Sequence, residues 1–151
     1  MTTHPVQAID WRPDFATGVA IMDDQHKMLV KMINDASAQL TDSSPLKDYD
    51  TIIRGLLNYA DRDLQYEERL MHTYGYDRLP KGLDHIKQHK EFRGKMVAFQ
   101  EHLKAGKPIL KHDLVLYLTG WLTYHILHFD KELVAFVRNK MTLMKGAGGK
   151  A

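Results

Sequence analysis

The sequence predicts an all-α protein, an antiparallel up-down-up-down four-helix bundle with an extended N-terminal arm. Three observations predict it. Four long segments repeat apolar residues every three or four positions, the spacing of one face of an α-helix. The segments between them are short and carry the Gly, Pro and Ser of turns. No stretch of useful length alternates apolar and polar residues as a half-buried strand would, and no internal repeat is evident. Short connections between consecutive helices make neighbours antiparallel.

Residues 1–18 hold two prolines, a tryptophan and few periodic apolar positions, so they read as an arm that packs on the bundle. The bundle is expected over 19–144, with 145–151 a disordered tail because KGAGGKA is glycine-rich. The first helix is placed from about Asp23 to Leu40, with Leu29, Ile33, Ala36 and Leu40 inward and His26 extending their stripe. TDSSP (41–45) supplies cap chemistry and a proline suited to a first turn. The second helix runs from Leu46 to Thr73, with a stripe of Ile53, Leu56, Ala60, Asp63, Glu67 and Leu70. YGYDRLPKGL (74–83) reads as a longer connection. The third helix follows to Lys104 with His85, His89, Phe92, Met96, Phe99 and Leu103 in register. AGKP (105–108) is a turn, and a fourth helix runs from Ile109 to Met141 with Leu114, Leu118, Trp121, His125 and Phe129 aligned.

At 151 residues the chain suits one domain with one core. A formal net charge of +2, spread along the chain, argues against nucleic acid or an anionic membrane as partner. The absence of cysteine excludes disulfides, thiol chemistry and thiolate metal sites. There is no apolar signal core and no run long enough to span a bilayer, so a cytoplasmic protein is expected.

Seven polar residues fall in the apolar stripes or beside them: His26, Asp63, Glu67, His85, His89, His125 and Asp130. Positions four apart share a helix face, so Asp63 pairs with Glu67 and His85 with His89. A lone inward histidine is usually a satisfied core residue, and either pair alone arises easily by chance. The set on four helices is different. No Lys or Arg falls on these faces to neutralise the carboxylates, and a metal-free core with so many buried polar groups is disfavoured. Nitrogen and oxygen donors without sulfur suit iron, manganese or zinc. Asp130 is not found by spacing. Five residues turn an α-helix about 140° beyond a full rotation, so His125 and Asp130 should straddle a pocket rather than share a stripe.

The chain resembles the hemerythrin family, in particular the stand-alone bacterial hemerythrins. The resemblance is carried by Trp11 in the arm, MDDQH ending at His26, YEERLM (66–71), HIKQH (85–89) and WLTYHILHFD (121–130). It implies a four-helix bundle holding two non-haem iron ions, oxo- or hydroxo-bridged, that bind O2 or another small diatomic ligand. By position, His85, His89 and His125 would hold one iron, and Glu67 and Asp130 would bridge. His26 would hold the second iron, which keeps an open position. Asp63 stands where the family places a second histidine on that iron, and the connection before His85 looks longer than usual by about a turn.

A carboxylate at Asp63 adds negative charge and a hard ligand, which favours ferric iron. Asp63 either ligates iron or hydrogen-bonds at the rim of the bundle. The leading expectation is an O2 carrier, store or sensor rather than an enzyme. Its alternative is a di-iron redox enzyme with oxidase, peroxidase-like or nitric oxide chemistry, fed by a reductase partner. Glu68 is expected to turn away into solvent. His128 reads as packing or an outer contact of the site, and His4, His72, His102 and His112 as surface groups.

Overall fold

The computed structural model describes residues 7–148, and the expectations for His4 and for 149–151 lie outside them. Four antiparallel helices form the bundle: α1 (Ala20–Gln39), α2 (Leu46–Tyr74), α3 (Pro80–Lys104) and a fourth that begins as α4 (Lys111–His125). This fourth helix passes through a π-helical turn (Ile126–Asp130) into α5 (Lys131–Gly148) without leaving helical backbone angles. It therefore continues four residues into the segment the composition marks as a disordered tail. Short 3-10 turns lie at Pro13–Phe15 and Tyr76–Arg78, and no strand occurs among the described residues.

The arm is fastened at several points. Asn34 on α1 accepts a bond from the Ile9 amide (3.0 Å) and donates one to the Ile9 carbonyl (2.7 Å). Asp23 accepts from the Thr17 amide and hydroxyl, both at 2.8 Å, and from the Gly18 amide at 3.1 Å. The carboxylate thus satisfies donors just ahead of α1, and the helix starts at Ala20, a turn earlier than the stripe suggests. Phe15 is buried under the arm with Trp11 edge-on to it.

The connection 74–83 is shorter than its composition implies. Gly75, at φ 76°, ends α2 in the left-handed conformation. One 3-10 turn follows, and α3 opens at once on Pro80, whose missing N–H costs nothing in a first turn. Residues 80–83 of this segment are thus helix rather than connection.

Two apolar clusters fill the bundle. The larger includes Leu29, Ile33, Leu56, Leu64, Phe92, Met96, Leu118 and Leu122. The smaller holds Met22, Met71, Tyr76, Leu133, Val134 and Val137. On every helix the residues between the two clusters are the polar ones: His26 on α1, Glu67 on α2, His85 and His89 on α3, and His125 and Asp130 on the fourth. The polar set is a layer between two dry ends.

Gly82 fixes how closely α3 meets the preceding turn. A Cβ built there would lie 1.8 Å from the Tyr76 carbonyl oxygen, a backbone atom that cannot swing aside. Gly82→Ala should destabilise the protein by about 1–3 kcal/mol, the usual cost of overpacking. An unchanged denaturation midpoint in urea would contradict this packing.

Candidate metal centre

All seven polar residues predicted to face inward are buried, none more than 2% exposed. The Nε2 atoms of His85 and His89 each lie 3.3 Å from Nε2 of His125. All three lie 3.0 Å from Glu67 Oε1. Asp130 Oδ1 lies 2.9 Å from His125 Nε2 and 3.2 Å from His85 Nε2. On the other side, His26 Nε2 lies 2.9 Å from Asp130 Oδ2, 3.3 Å from Asp63 Oδ2 and 3.8 Å from Glu67 Oε2. Glu67 turns one oxygen to all three imidazoles and Asp130 one to His85 and His125, and each turns its other oxygen to His26.

The π-helical turn explains the five-residue spacing and corrects the expectation that His125 and Asp130 straddle a pocket. A π turn inserts one residue into an α-helix, so positions five apart come to share a face. Asp130 then takes the place that α-helical register would have given Phe129. Phe129 is half-buried and stacks beside His125, ring centroids 5.8 Å apart.

Glu68 does not turn into solvent. It is half-buried and accepts a 3.0 Å bond from His89 Nδ1 and a 2.8 Å bond from Arg93, whose Nε also binds Asp61 at 2.7 Å. Burial works against its charge, but the bonds from His89 and Arg93 hold the Glu68 carboxyl down to about 2. His125 Nδ1 in turn meets Gln88 Oε1. Glu68, Gln88 and Arg93 were missed because each looks like a surface residue. The available signal was the position of Glu68 and Gln88 beside Glu67 and His89. His128 is exposed against Tyr124, and His72, His102 and His112 are exposed as expected.

The donor set fits a metal. Two imidazoles direct their Nδ1 hydrogens outward, to Glu68 and Gln88, which leaves Nε2 lone pairs facing carboxylate oxygens. Lone pairs do not satisfy one another. Both oxygens of Asp130, Glu67 Oε2, Asp63 Oδ1 and both ring nitrogens of His26 make no hydrogen bond. Among the described residues no Lys or Arg approaches the three carboxylates, whose close partners are all histidines. Two groups could hold an ion: Glu67 with His85, His89 and His125, and Glu67 with His26 and Asp63.

Without metal the layer compensates by binding protons. Burial opposes the His125 imidazolium, but the charges of Asp130 and Glu67 push the group up to about 10. His26 and His85 are also raised, against burial, by carboxylate partners. Burial and the Glu67 charge push Asp63 up to about 8. Asp130 is held at about 2, and Glu67 well below its usual range, by the histidines despite burial and, for Asp130, the neighbouring Glu67.

A buried imidazole and carboxylate layer on four helices defines a class of proteins, the helical-bundle metal binders. Residues 17–137 match the hemerythrin HHE cation binding domain, and the chain belongs to the hemerythrin family. It is 31% identical over 145 residues to a bacteriohemerythrin of Pseudomonas aeruginosa (strain LESB58), covering 92% of this chain and 90% of that one. A bacteriohemerythrin of Methylococcus capsulatus (strain Bath) is 29% identical over 121 residues, covering 78% and 87%. The crystal structure of a wild-type hemerythrin superposes with a TM-score of 0.75 at 24% identity, covering 85% of this chain and 97% of that one, which shows the shared bundle.

The pH dependence of the metal-free protein follows from these shifts. A histidine raised above its unfolded value near 6.5 stabilises fully below that pH and loses its contribution as pH rises through its folded value, about 10 for His125. Asp63, raised from 3.8 to about 8, penalises folding increasingly over that interval. Asp130 and Glu67 contribute fully above about pH 4.5 and lose their contribution on acidification towards pH 2. Metal-free protein should therefore melt at lower temperature at pH 9.5 than at pH 6, and adding zinc at pH 7 should release protons. A flat melting profile would contradict the arrangement.

The π turn makes a second prediction. Deleting the exposed His128 should convert it to regular α-helix while leaving the flanking histidine and aspartate on one face. Bound metal per chain should stay unchanged; its loss would show that the turn does not absorb the extra residue.

Proposed function

We propose that this chain is a non-haem di-iron protein that binds dioxygen reversibly, as a carrier, store or sensor in the cytoplasm. The observation that carries the reading is the double-facing placement of Glu67 and Asp130. Two carboxylates, each with one oxygen towards a three-imidazole pocket and one towards His26, would help to hold a cation on either side. His85, His89 and His125 would hold the first iron and His26 and Asp63 the second. Iron held there would supply the electrons that dioxygen binding requires.

The chain's own residues serve the rest of the task. Trp121 stacks on His125, with ring centroids 4.5 Å apart and planes 12° apart, and closes the site on the side of the larger core. Behind it lies an apolar cavity of about 10 Å³, lined by Leu29, Ala60, Phe92, Trp121 and Leu122 among others. Leu29 and Ala60 each stand three residues from a polar group of the site, on the same helix faces as His26 and Asp63. The apolar side chains that line it would keep water and protons from that side of the site. Glu68 and Gln88 hold two of the three imidazoles in the tautomer that turns Nε2 inward.

No helix among the described residues is long and apolar enough to cross a membrane. The comparisons do not favour the redox-enzyme alternative over oxygen binding. The reductase partner expected with that alternative has no support.

The test is the visible spectrum of anaerobically reduced, iron-loaded protein on adding oxygen and then flushing with argon. The expected outcome is two iron ions per chain and a charge-transfer band that appears with oxygen and disappears under argon. A band that persists, or none at all, would overturn reversible binding.

A further inference from the structure

The two cation positions are built from different donors. The first faces three imidazole nitrogens and the inner oxygens of Glu67 and Asp130, all at 3.0–3.2 Å or closer to at least one ring nitrogen. The second faces one imidazole, His26, and oxygens of three carboxylates, Asp63, Glu67 and Asp130. Borderline nitrogen donors suit ferrous iron and zinc, whereas carboxylate oxygens suit harder ions such as manganese.

The support behind the donors is unequal as well. His89 is held through Glu68, itself gripped by Arg93, and His125 is held by Gln88. Among the described residues His85 in the first pocket has no partner at Nδ1, and neither has His26 in the second, where Asp63 Oδ1 is also unpartnered; all three side chains are more than nine-tenths buried. Outer partners of this kind orient ligands, and their loss typically weakens a metal site ~10–100-fold. One position is therefore nitrogen-rich with two of its three imidazoles braced, and the other is oxygen-rich with its single histidine unbraced.

We propose that the two positions are not equivalent: the His85–His89–His125 pocket retains one ferrous or zinc ion tightly, while the His26–Asp63 pocket is an exchangeable position that accepts manganese(II). The proposal rests on the two-cation reading above and adds a metal preference to it. Asp63 is the specificity-determining residue, because it alone turns the second pocket from mixed to predominantly oxygen donors.

The experiment starts from the metal-free full-length chain. One equivalent of zinc sulfate is added, the protein is desalted, and manganese(II) chloride is titrated in while free manganese is followed by electron paramagnetic resonance. The expected result is one zinc ion surviving desalting and one manganese ion binding beside it, more weakly than zinc by roughly tenfold or more. Asp63→His should weaken manganese binding by a similar factor and leave retention of the first zinc unchanged. Asp63→Asn, nearly the same shape, should also weaken manganese, and circular dichroism shows whether each variant keeps its helices. The proposal is overturned if two zinc ions bind with one affinity, if manganese does not enter the zinc-loaded protein, or if folded Asp63→His and Asp63→Asn bind manganese as the parent does. A chain that binds neither metal would overturn the two-cation reading itself, a result distinct from two equivalent sites.

Discussion

Three carboxylates and four imidazoles share one buried layer that no Lys or Arg among the described residues reaches, and the architecture answers to that constraint. An isolated buried carboxylate is costly, and removing one partner from such a set leaves the others exposed to the full penalty. Each helix must therefore deliver its group at the same height. The two apolar clusters above and below serve this alignment, since they fix the axial position of every helix against its neighbours. The outer bonds of His89 and His125 fix the ring orientation. The layer cannot be neutral on its own terms, so it gathers protons or metal ions.

The same constraint accounts for the least regular part of the fourth helix. A regular α-helix would place Phe129, not Asp130, opposite His26. A π turn gives up ideal backbone hydrogen bonding over one turn and gains a carboxylate that touches both halves of the layer. Such turns are uncommon and cluster at functional sites, where side-chain placement outweighs backbone regularity. Downstream, Leu133, Val134 and Val137 still reach the smaller cluster, so the displacement is confined to the site.

Asp63 brings a third carboxylate to the His26 side of the layer. Family membership accounts for the bundle and for the general type of the layer, but not for the balance of nitrogen and oxygen on the two sides. That balance follows from Asp63 facing His26 inside the bundle, at 3.3 Å, instead of pairing at the rim. Oxygen binding and unequal metal preference are compatible, because one concerns the ligand the centre accepts and the other the ions that compose it.

The sequence by itself determined the four helices, their antiparallel order, and the inward direction of His26, Asp63, Glu67, His85, His89 and His125. The helices and the inward positions follow from helical periodicity and the antiparallel order from the short connections, and both are local features that survive without knowledge of the partner helix. Resemblance, not periodicity, supplied Asp130, because a π turn breaks the α-helical spacing that a sequence displays. The tertiary structure decided what depends on distance between helices. It set which oxygen of Glu67 and Asp130 faces which histidines, and the closeness of Gly82 to the Tyr76 carbonyl. It also drew Glu68 under Arg93 and onto His89, since α3 covers a face of α2 that looks polar and solvated when α2 is read alone.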